Sequence, residues 1–311
     1  MHFGGGKKLL SGNKPTVHAV DGVSFKIPAG KTFGVVGESG SGKTTTALAI
    51  MRLVKITAGS VTLGDTEISA LEKDELRAAR SRFQIIFQDP YSSLDPRKRA
   101  GEIVRQPLDL MSIGTPAERA EKVSELFTQV GLRPEQQHLF PHQFSGGQRQ
   151  RIGLARALST RPDLIVCDEP VSALDVAIQA QILNLMSALQ QELGLTYLFI
   201  SHDLGVVQHI CDEIAVMYLG QIVEQADRVT LFKNPRHPYT KALLEAVPTV
   251  HGNKRDRSPR MRLVGDPPSP INLPKACRFA SRCPRAGARC HQEVPVLEEN
   301  ANGHKVACFL A

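Results

Sequence analysis

Residues 32–44 read TFGVVGESGSGKT. The first five residues predict a short buried strand, and the last eight match the pattern G-x-x-x-x-G-K-[ST] at every fixed position. An apolar stretch follows and predicts a helix over about 43–54. Glycines in such a turn let backbone N–H groups close around phosphate oxygens, and the helix N-terminus adds its positive dipole. The stretch therefore predicts a phosphate-binding loop between a strand and a helix.

The loop supplies the first group of candidate ATP-binding residues. We expect Lys43 to reach the β- and γ-phosphates and the Thr44 hydroxyl to bind Mg²⁺. The alternative is a chance glycine-rich turn, which the flanking strand and helix disfavour. The candidates are Ser39, Gly40, Ser41, Gly42, Lys43, Thr44 and Thr45.

A second apolar stretch, LIVCD at 164–168, predicts another buried strand and ends in Asp168-Glu169. An acid at the tip of a buried strand is placed to hold Mg²⁺ opposite the loop, so Asp168 is the candidate metal ligand. Glu169 is then placed to act on the attacking water as general base. An amphipathic helix and the buried stretch 196–200 follow, and this order favours a parallel sheet covered by helices.

Residues 144–151, FSGGQRQR, resemble the LSGGQ signature of ABC ATPases, with Phe144 in place of leucine. Four further motifs occur in the order found in that family: the phosphate-binding loop, Gln88 after FQIIF, Asp168-Glu169 with SALD at 172–175, and His202. On these residues the chain is identified as a member of the ABC ATPases.

The resemblance implies an α/β P-loop ABC ATPase core with antiparallel β and helical subdomains. The nucleotide-binding domain is expected over 1–230, with the helical subdomain at about 89–160. Catalytic roles fall on Glu169, on His202 at the γ-phosphate, and on Gln88, which with Thr44 and Asp168 would contact Mg²⁺. The signature residues would contact ATP held by a second, opposing ATPase subunit; they are Ser145, Gly146, Gly147 and Gln148.

The adenine contact is an aromatic residue upstream of the loop in this family. Phe3 is the best candidate here, and His18 is the second.

The end of the chain resembles a narrower group. Residues 234–248, with HPYTKALLEAVP, are similar to the C-terminal extension of dipeptide, oligopeptide and nickel importer ATPases, as are 17–42 and 88–107. We therefore expect a small irregular extension over 231–311. The resemblance implies peptide uptake, or the same machine importing nickel or another small solute. Its implied partners are a homologous second ATPase subunit, two membrane permeases and, indirectly, a solute-binding protein.

Four cysteines lie in the last 35 residues: Cys277, Cys283, Cys290 and Cys308. Their spacing matches neither paired C-x₂-C zinc sites nor a ferredoxin run, so a [4Fe–4S] cluster, zinc and free thiols all stay open. The resemblance to the peptide importers favours the iron–sulfur cluster. Interleaved arginines would offset the negative charge of such a cluster; they are Arg278, Arg282, Arg285 and Arg289.

The composition is ordinary for a globular protein, and no apolar run reaches the roughly 18 residues of a membrane span. The N-terminus also lacks the apolar core of a secretory signal. We therefore expect a peripheral subunit at the cytoplasmic face of the membrane. From residue 231 onward 14 Lys/Arg stand against 6 Asp/Glu. This basic excess keeps a DNA-handling ABC ATPase as a remote alternative, although we expect no nucleic-acid partner.

Overall fold

The computed structural model describes residues 1–4, 16–89, 91–246, 265–271 and 273–311. In these ranges the strands are β1 (His2–Gly4), β2 (Thr16–His18), β3 (Thr32–Val36), β4 (Thr62–Leu63), β5 (Thr66–Glu67), β6 (Phe83–Ile86), β7 (Leu164–Asp168), β8 (Thr196–Ser201), β9 (Glu213–Tyr218), β10 (Gln221–Asp227), β11 (Glu298–Glu299) and β12 (Lys305–Val306). The α-helices are α1 (Lys43–Ile50), α2 (Lys73–Ala79), α3 (Ala100–Leu110), α4 (Pro116–Gln129), α5 (Gly146–Leu158), α6 (Val176–Leu193), α7 (Leu204–Ile210), α8 (Arg228–Lys233) and α9 (Pro238–Glu245).

A central sheet has the strand order β11-β12-β10-β9-β3-β8-β7-β6. The five strands from β9 to β6 are parallel, and β10, β12 and β11 extend the sheet in antiparallel fashion. β3, β7 and β8 are buried along their whole length, which explains why their sequences are apolar without alternation. The predicted strands at 32–36 and 164–168 are confirmed, and the third extends one residue beyond its predicted end.

Helices α3, α4 and α5 pack on one another within the segment predicted to be helical. Local sequence sets their starts. Thr115 caps α4 by accepting a hydrogen bond from the N–H of Glu118, with Pro116 at the first helical position. α1 begins at Lys43 as predicted but ends at Ile50, four residues early.

Short antiparallel pairs lie outside the central sheet. β1 pairs with β2, and β4 pairs with β5. Among the described residues these two pairs are the antiparallel elements that precede β6.

The C-terminal region contains one feature that its sequence does not predict. β11 and β12 form a hairpin that continues the central sheet by pairing with β10. The hairpin has no clear periodicity, so only its long-range pairing shows that it is part of the sheet. The expected boundary after residue 230 falls inside α8.

A buried carboxylate fastens this region to the core. The fully buried Glu224 on β10 accepts hydrogen bonds from the backbone N–H groups of Arg236 (2.6 Å) and His237 (3.0 Å). Its Oε1 also lies 2.7 Å from Nε2 of His304 in the hairpin. Burial lowers the pKa of His237 to about 3, and its Nδ1 caps α9 by accepting a hydrogen bond from the N–H of Tyr239. Glu224 thereby fixes the start of α9 relative to the sheet.

Within the described residues, no helix is both long and apolar enough to cross a membrane.

Candidate functional site

The phosphate-binding loop follows β3 and depends on glycine at two positions. Gly37 and Gly42 have φ of 157° and 106°. A Cβ atom on Gly37 would lie 2.2 Å from the carbonyl oxygen of Met217, and one on Gly42 would lie 2.2 Å from that of Ala19. Backbone from two other segments therefore presses on the loop, and only glycine fits at these two contacts.

Lys43 lies across the loop. Its Nζ donates hydrogen bonds to the carbonyl oxygens of Gly37 (2.8 Å) and Glu38 (2.9 Å). Burial lowers the pKa of the Lys43 ammonium, while the nearby carboxylates of Glu169 and Asp168 act in the opposite direction. The result is a cation held inside the loop where a phosphate would bind.

Two oxygen-bearing side chains, those of Thr44 and Asp168, lie next to Lys43. The Thr44 hydroxyl donates to Oδ1 of Asp168 at 3.1 Å, from the first turn of α1 to the end of β7. Burial raises the pKa of Asp168, and the Thr44 hydrogen bond partly offsets this. A hydroxyl and a carboxylate are the oxygen donors that Mg²⁺ takes in nucleotide sites. In addition, the buried Oγ of Ser41 has no hydrogen-bond partner within the described part of the chain, so this polar atom is left for a ligand.

The Glu169 carboxylate is the meeting point of three predicted residues. Its Oε2 accepts a hydrogen bond from Nε2 of Gln88 (2.9 Å) and lies 3.0 Å from Nδ1 of His202. The Glu169 side chain is 12% exposed and that of His202 is 56% exposed. Glu169 itself has φ of 48°, in the left-handed region, and its N–H donates to the carbonyl of Ile200. The structure thus brings Gln88, Glu169 and His202 together at the sheet edge.

The signature residues stand apart from this cluster. Ser145 caps α5: its Oγ accepts from the N–H of Gln148, and the Gln148 side chain accepts from the N–H of Ser145. A Cβ on Gly147 would lie 2.5 Å from a methyl carbon of Ile178, so glycine allows close packing of α5 on α6. Among the described residues, no hydrogen bond links Ser145 or Gln148 to Lys43 or Glu169. The N-terminus of α5 is left with exposed Ser145 at its cap.

The adenine candidates lie in the β1–β2 pair. The Phe3 backbone pairs with Val17, and its side chain lies outside what the structure describes. The Nδ1 atom of His18 lies 3.1 Å from Nε2 of His2. The two histidine rings are in contact, with 4.2 Å between their centroids.

The four late cysteines gather in one place. The Cys277 N–H donates to the carbonyl of Cys290, and burial raises the pKa of the Cys277 and Cys283 thiols. The other three thiols raise the pKa of Cys277 further, because negative charges would accumulate there. Among the described residues, no three of these sulfur atoms lie within 4.8 Å of one another. The thiols are therefore close enough to act on the pKa of Cys277 but are not packed as a tight group of three.

Two side chains reach the loop through contacts that the sequence analysis does not predict, and one of them, Arg282, is expected there to offset the charge of a cysteine-bound cluster. Tyr239 on α9 and Arg282 in the cysteine segment both contact Glu38. They lie 201 and 244 positions from it, and no local pattern signals such contacts.

Comparison with known families gives two matches. The family described as ABC transporter matches residues 20–172. The family described as oligopeptide/dipeptide transporter, C-terminal region, matches residues 223–290. The first match contains the loop, Gln88, the signature and Glu169, and the second contains Tyr239 and Arg282.

Similar proteins extend over almost the full chain. The putative oligopeptide transport ATP-binding protein YkfD of Bacillus subtilis (strain 168) is 50% identical over 311 residues, all of this chain and 93% of that protein. The oligopeptide transport ATP-binding protein AppF of the same organism is 50% identical over 94% of this chain and 90% of its own length.

A solved structure has the same core. The ATP-binding cassette MJ0796, described as a dimer in a post-hydrolysis state bound to ADP and Pi, aligns with a TM-score of 0.63 and 29% identity. The match covers 72% of this chain and 95% of that one.

Replacing Gly42 with alanine is expected to weaken nucleotide binding at least about tenfold, because the loop must move away from Ala19. Titration with a fluorescent ATP analogue measures this. Gly59 is a matched control, since its φ of 94° is similar and, apart from its chain neighbours, no described residue lies within 4 Å of its Cβ position. Gly59→Ala should cost about 1–2 kcal/mol in stability from backbone strain and leave binding unchanged. Equal ATP affinities for the two variants would contradict the conclusion that close packing of Gly42 on Ala19 shapes the phosphate-binding loop.

Proposed function

The chain belongs to the ABC transporter family of ATP-binding proteins, and on that premise we propose that it powers the uptake of di- or oligopeptides across the cytoplasmic membrane. It is an ATP hydrolase coupled to transport. The peptide substrate is supported by the C-terminal region match and by the two half-identical relatives named for oligopeptide transport. Import of nickel or another small solute by the same kind of machine is the second candidate.

The catalytic assignment rests on one observation, which is that Gln88 and His202 both contact Oε2 of Glu169. A general base must hold a water molecule and keep its lone pair directed at it. Gln88 and His202 both contact Oε2 of this carboxylate, at 2.9 and 3.0 Å, and so hold the side chain in place. We assign Glu169 as the base, with His202 facing the γ-phosphate and Gln88 reporting on the metal and water.

Phosphate and Mg²⁺ would be held by the groups around the loop. Lys43 would turn from its two backbone carbonyls to the β- and γ-phosphates, and Thr44 and Asp168 would hold Mg²⁺ with Gln88. When bound, Mg²⁺ neutralises charge on the phosphate oxygens. The unpartnered Ser41 hydroxyl and the loop backbone of residues 39–45 supply further phosphate contacts.

A second ATPase subunit would complete the site. Ser145, Gly146, Gly147 and Gln148 make no hydrogen bond to Glu169 or Lys43 in the described part of the chain, and they lie at a helix N-terminus. Such a terminus attracts phosphate through its N–H groups and dipole. We propose that the signature contacts ATP held by an opposing, homologous subunit, and that the pair lies under two permeases served by a solute-binding protein.

Glu169→Gln is expected to lower ATP hydrolysis at least about 100-fold with ATP binding retained, because the amide cannot accept the proton of water. Steady-state phosphate release and nucleotide titration measure the two effects. Asp163→Asn is a matched acid-to-amide control, since Asp163 lies in an exposed ion pair with Arg82. Hydrolysis at the parental rate in Glu169→Gln would show that another group is the base.

The same variant also tests the second subunit. With ATP, Glu169→Gln is expected to form a stable dimer with the homologous ATPase, and adding Ser145→Arg should abolish it by blocking the signature. Light scattering after gel filtration measures the mass. A dimer of this chain alone would replace the non-identical pair with an identical one, and an unaffected dimer in the double variant would contradict the signature contact.

A [4Fe–4S] cluster at the four cysteines is our proposal for the C-terminal region, with zinc as the alternative. Tetrahedral zinc with Zn–S bonds of 2.3 Å places sulfurs about 3.8 Å apart. In the described residues no three of these sulfur atoms lie within 4.8 Å of one another, so they are not arranged as tetrahedral zinc would hold them, and the resemblance of the C-terminal region to the peptide importers supports the cluster. Cys277, Cys283, Cys290 and Cys308 would hold it, with a structural or regulatory role.

Anaerobically purified protein is expected to contain about four irons and four acid-labile sulfides per chain, lost on Cys283→Ser. Elemental and sulfide analysis measures this, and Cys211→Ser is a control at a buried thiol outside the group. About one zinc per chain would replace the cluster with a zinc site, and neither metal would leave free thiols.

Proteoliposomes with the complete transporter are expected to transport labelled oligopeptide only when ATP is present on the side of the membrane that this subunit faces. Substituting Glu169→Gln in this subunit should reduce uptake at least about tenfold, because one hydrolysis site is lost. Labelled nickel is the competing cargo in the same vesicles. Uptake of nickel and not peptide would contradict the peptide substrate while leaving the ATPase assignment intact.

A further inference from the structure

Glu38, the first variable residue of the phosphate-binding loop, is held at all three of its polar groups. Its N–H donates to the hydroxyl of Tyr239 at 2.8 Å, and its carbonyl accepts from Nζ of Lys43 at 2.9 Å. Its carboxylate binds the guanidinium of Arg282 through both oxygens, at 2.6 and 3.1 Å. Two of these three partners come from the C-terminal region and not from the nucleotide-binding core.

Arg282 is locked in place by packing. Its side chain is 5% exposed, and its guanidinium lies 5.8 Å from the ring centroid of Tyr218. The aromatic rings of Tyr218, Tyr239 and Phe279 contact one another at 4.7–5.5 Å between centroids. A buried, bidentate arginine–carboxylate pair in such a setting is geometrically specific, because the planar fork accepts only one orientation.

The ion pair has an electrostatic consequence for the loop. The Glu38 side chain is 28% exposed and belongs to a residue whose carbonyl binds the same Lys43 that would reach the phosphates. A carboxylate at this position repels a polyanion unless it is paired. Arg282 supplies the pairing charge, so ATP meets a neutral pair and a cationic Lys43.

We propose that Arg282 and Tyr239 are positioning residues of the nucleotide site: they anchor the loop through Glu38, and Arg282 neutralises the Glu38 carboxylate beside the phosphates. The C-terminal region is therefore part of the ATP site. The inference rests on nucleotide binding at residues 37–44, as proposed above.

Arg282→Met is expected to raise the KM for ATP about tenfold in the assembled transporter and to leave kcat within about twofold, because the unpaired carboxylate weakens binding and not chemistry. The double variant Glu38→Gln with Arg282→Met should return KM to within about threefold of the parent, since no unpaired charge is left. Steady-state ATPase assays give both constants, and titration with a fluorescent ATP analogue checks that KM follows affinity.

Tyr239→Phe tests the second contact, since it keeps the ring and removes the acceptor of the Glu38 N–H. It should raise KM about threefold. Arg289→Met is the control in the same segment, because Arg289 is 62% exposed and pairs with Glu293 on the surface. It should leave both constants unchanged. If Arg282→Met does not fold, Arg282→Lys keeps the charge without the fork and should raise KM about twofold to threefold.

An unchanged KM in Arg282→Met or Arg282→Lys would overturn the inference, as would a double variant whose KM stays as high as that of Arg282→Met. A role only in folding would lower the melting temperature and the active fraction without moving KM. If the parent itself fails to bind the ATP analogue, the proposed function fails, and this result is distinct from equal KM values in parent and variant.

Discussion

Parallel pairing of β3, β8 and β7 is the constraint on which the nucleotide site depends. Val36 lies opposite Ser201, and Asp168 lies opposite Ile200, so the carboxyl ends of the three strands meet at one sheet edge. The phosphate-binding loop follows β3, His202 follows β8, Asp168 ends β7 with Glu169 directly after it, and Gln88 follows the neighbouring β6. Four motifs far apart in the chain converge because each lies just beyond the same end of a parallel strand.

Backbone strain at this edge orients the central carboxylate. Glu169 has a left-handed φ of 48°, a conformation that costs a non-glycine residue about 1–2 kcal/mol. The hydrogen bond from the Glu169 N–H to the carbonyl of Ile200 and the side-chain contacts with Gln88 and His202 offset that cost. The turn after β7 therefore separates two adjacent acids by function: Asp168 points to Thr44 and Glu169 points to Gln88 and His202.

Motifs of short range could be predicted from the sequence, and contacts of long range could not. The loop and the buried strands depend on neighbours within a few residues, so their patterns are visible in the chain. The predicted helix after the loop runs to 54 because apolar residues continue there, whereas the structure ends it at Ile50 and turns the chain at Arg52, whose φ is 50°. The β11–β12 hairpin, the buried Glu224 and the Glu38–Arg282 pair depend on residues 80 or more positions away, and no local pattern encodes them.

The C-terminal region is attached to the core by contacts that do not involve its cysteines. Glu224 binds the backbone before α9 and the His304 side chain, and Phe279 packs into the aromatic cluster of Tyr218 and Tyr239. These contacts bury large apolar rings and satisfy a buried charge. They therefore attach the C-terminal region to the core independently of which group the cysteines bind. Arg282 contacts Tyr218 of that cluster and directly precedes Cys283 in the chain. The phosphate-binding loop is therefore connected, through the ion pair of Arg282 with Glu38, to the segment that carries the four cysteines.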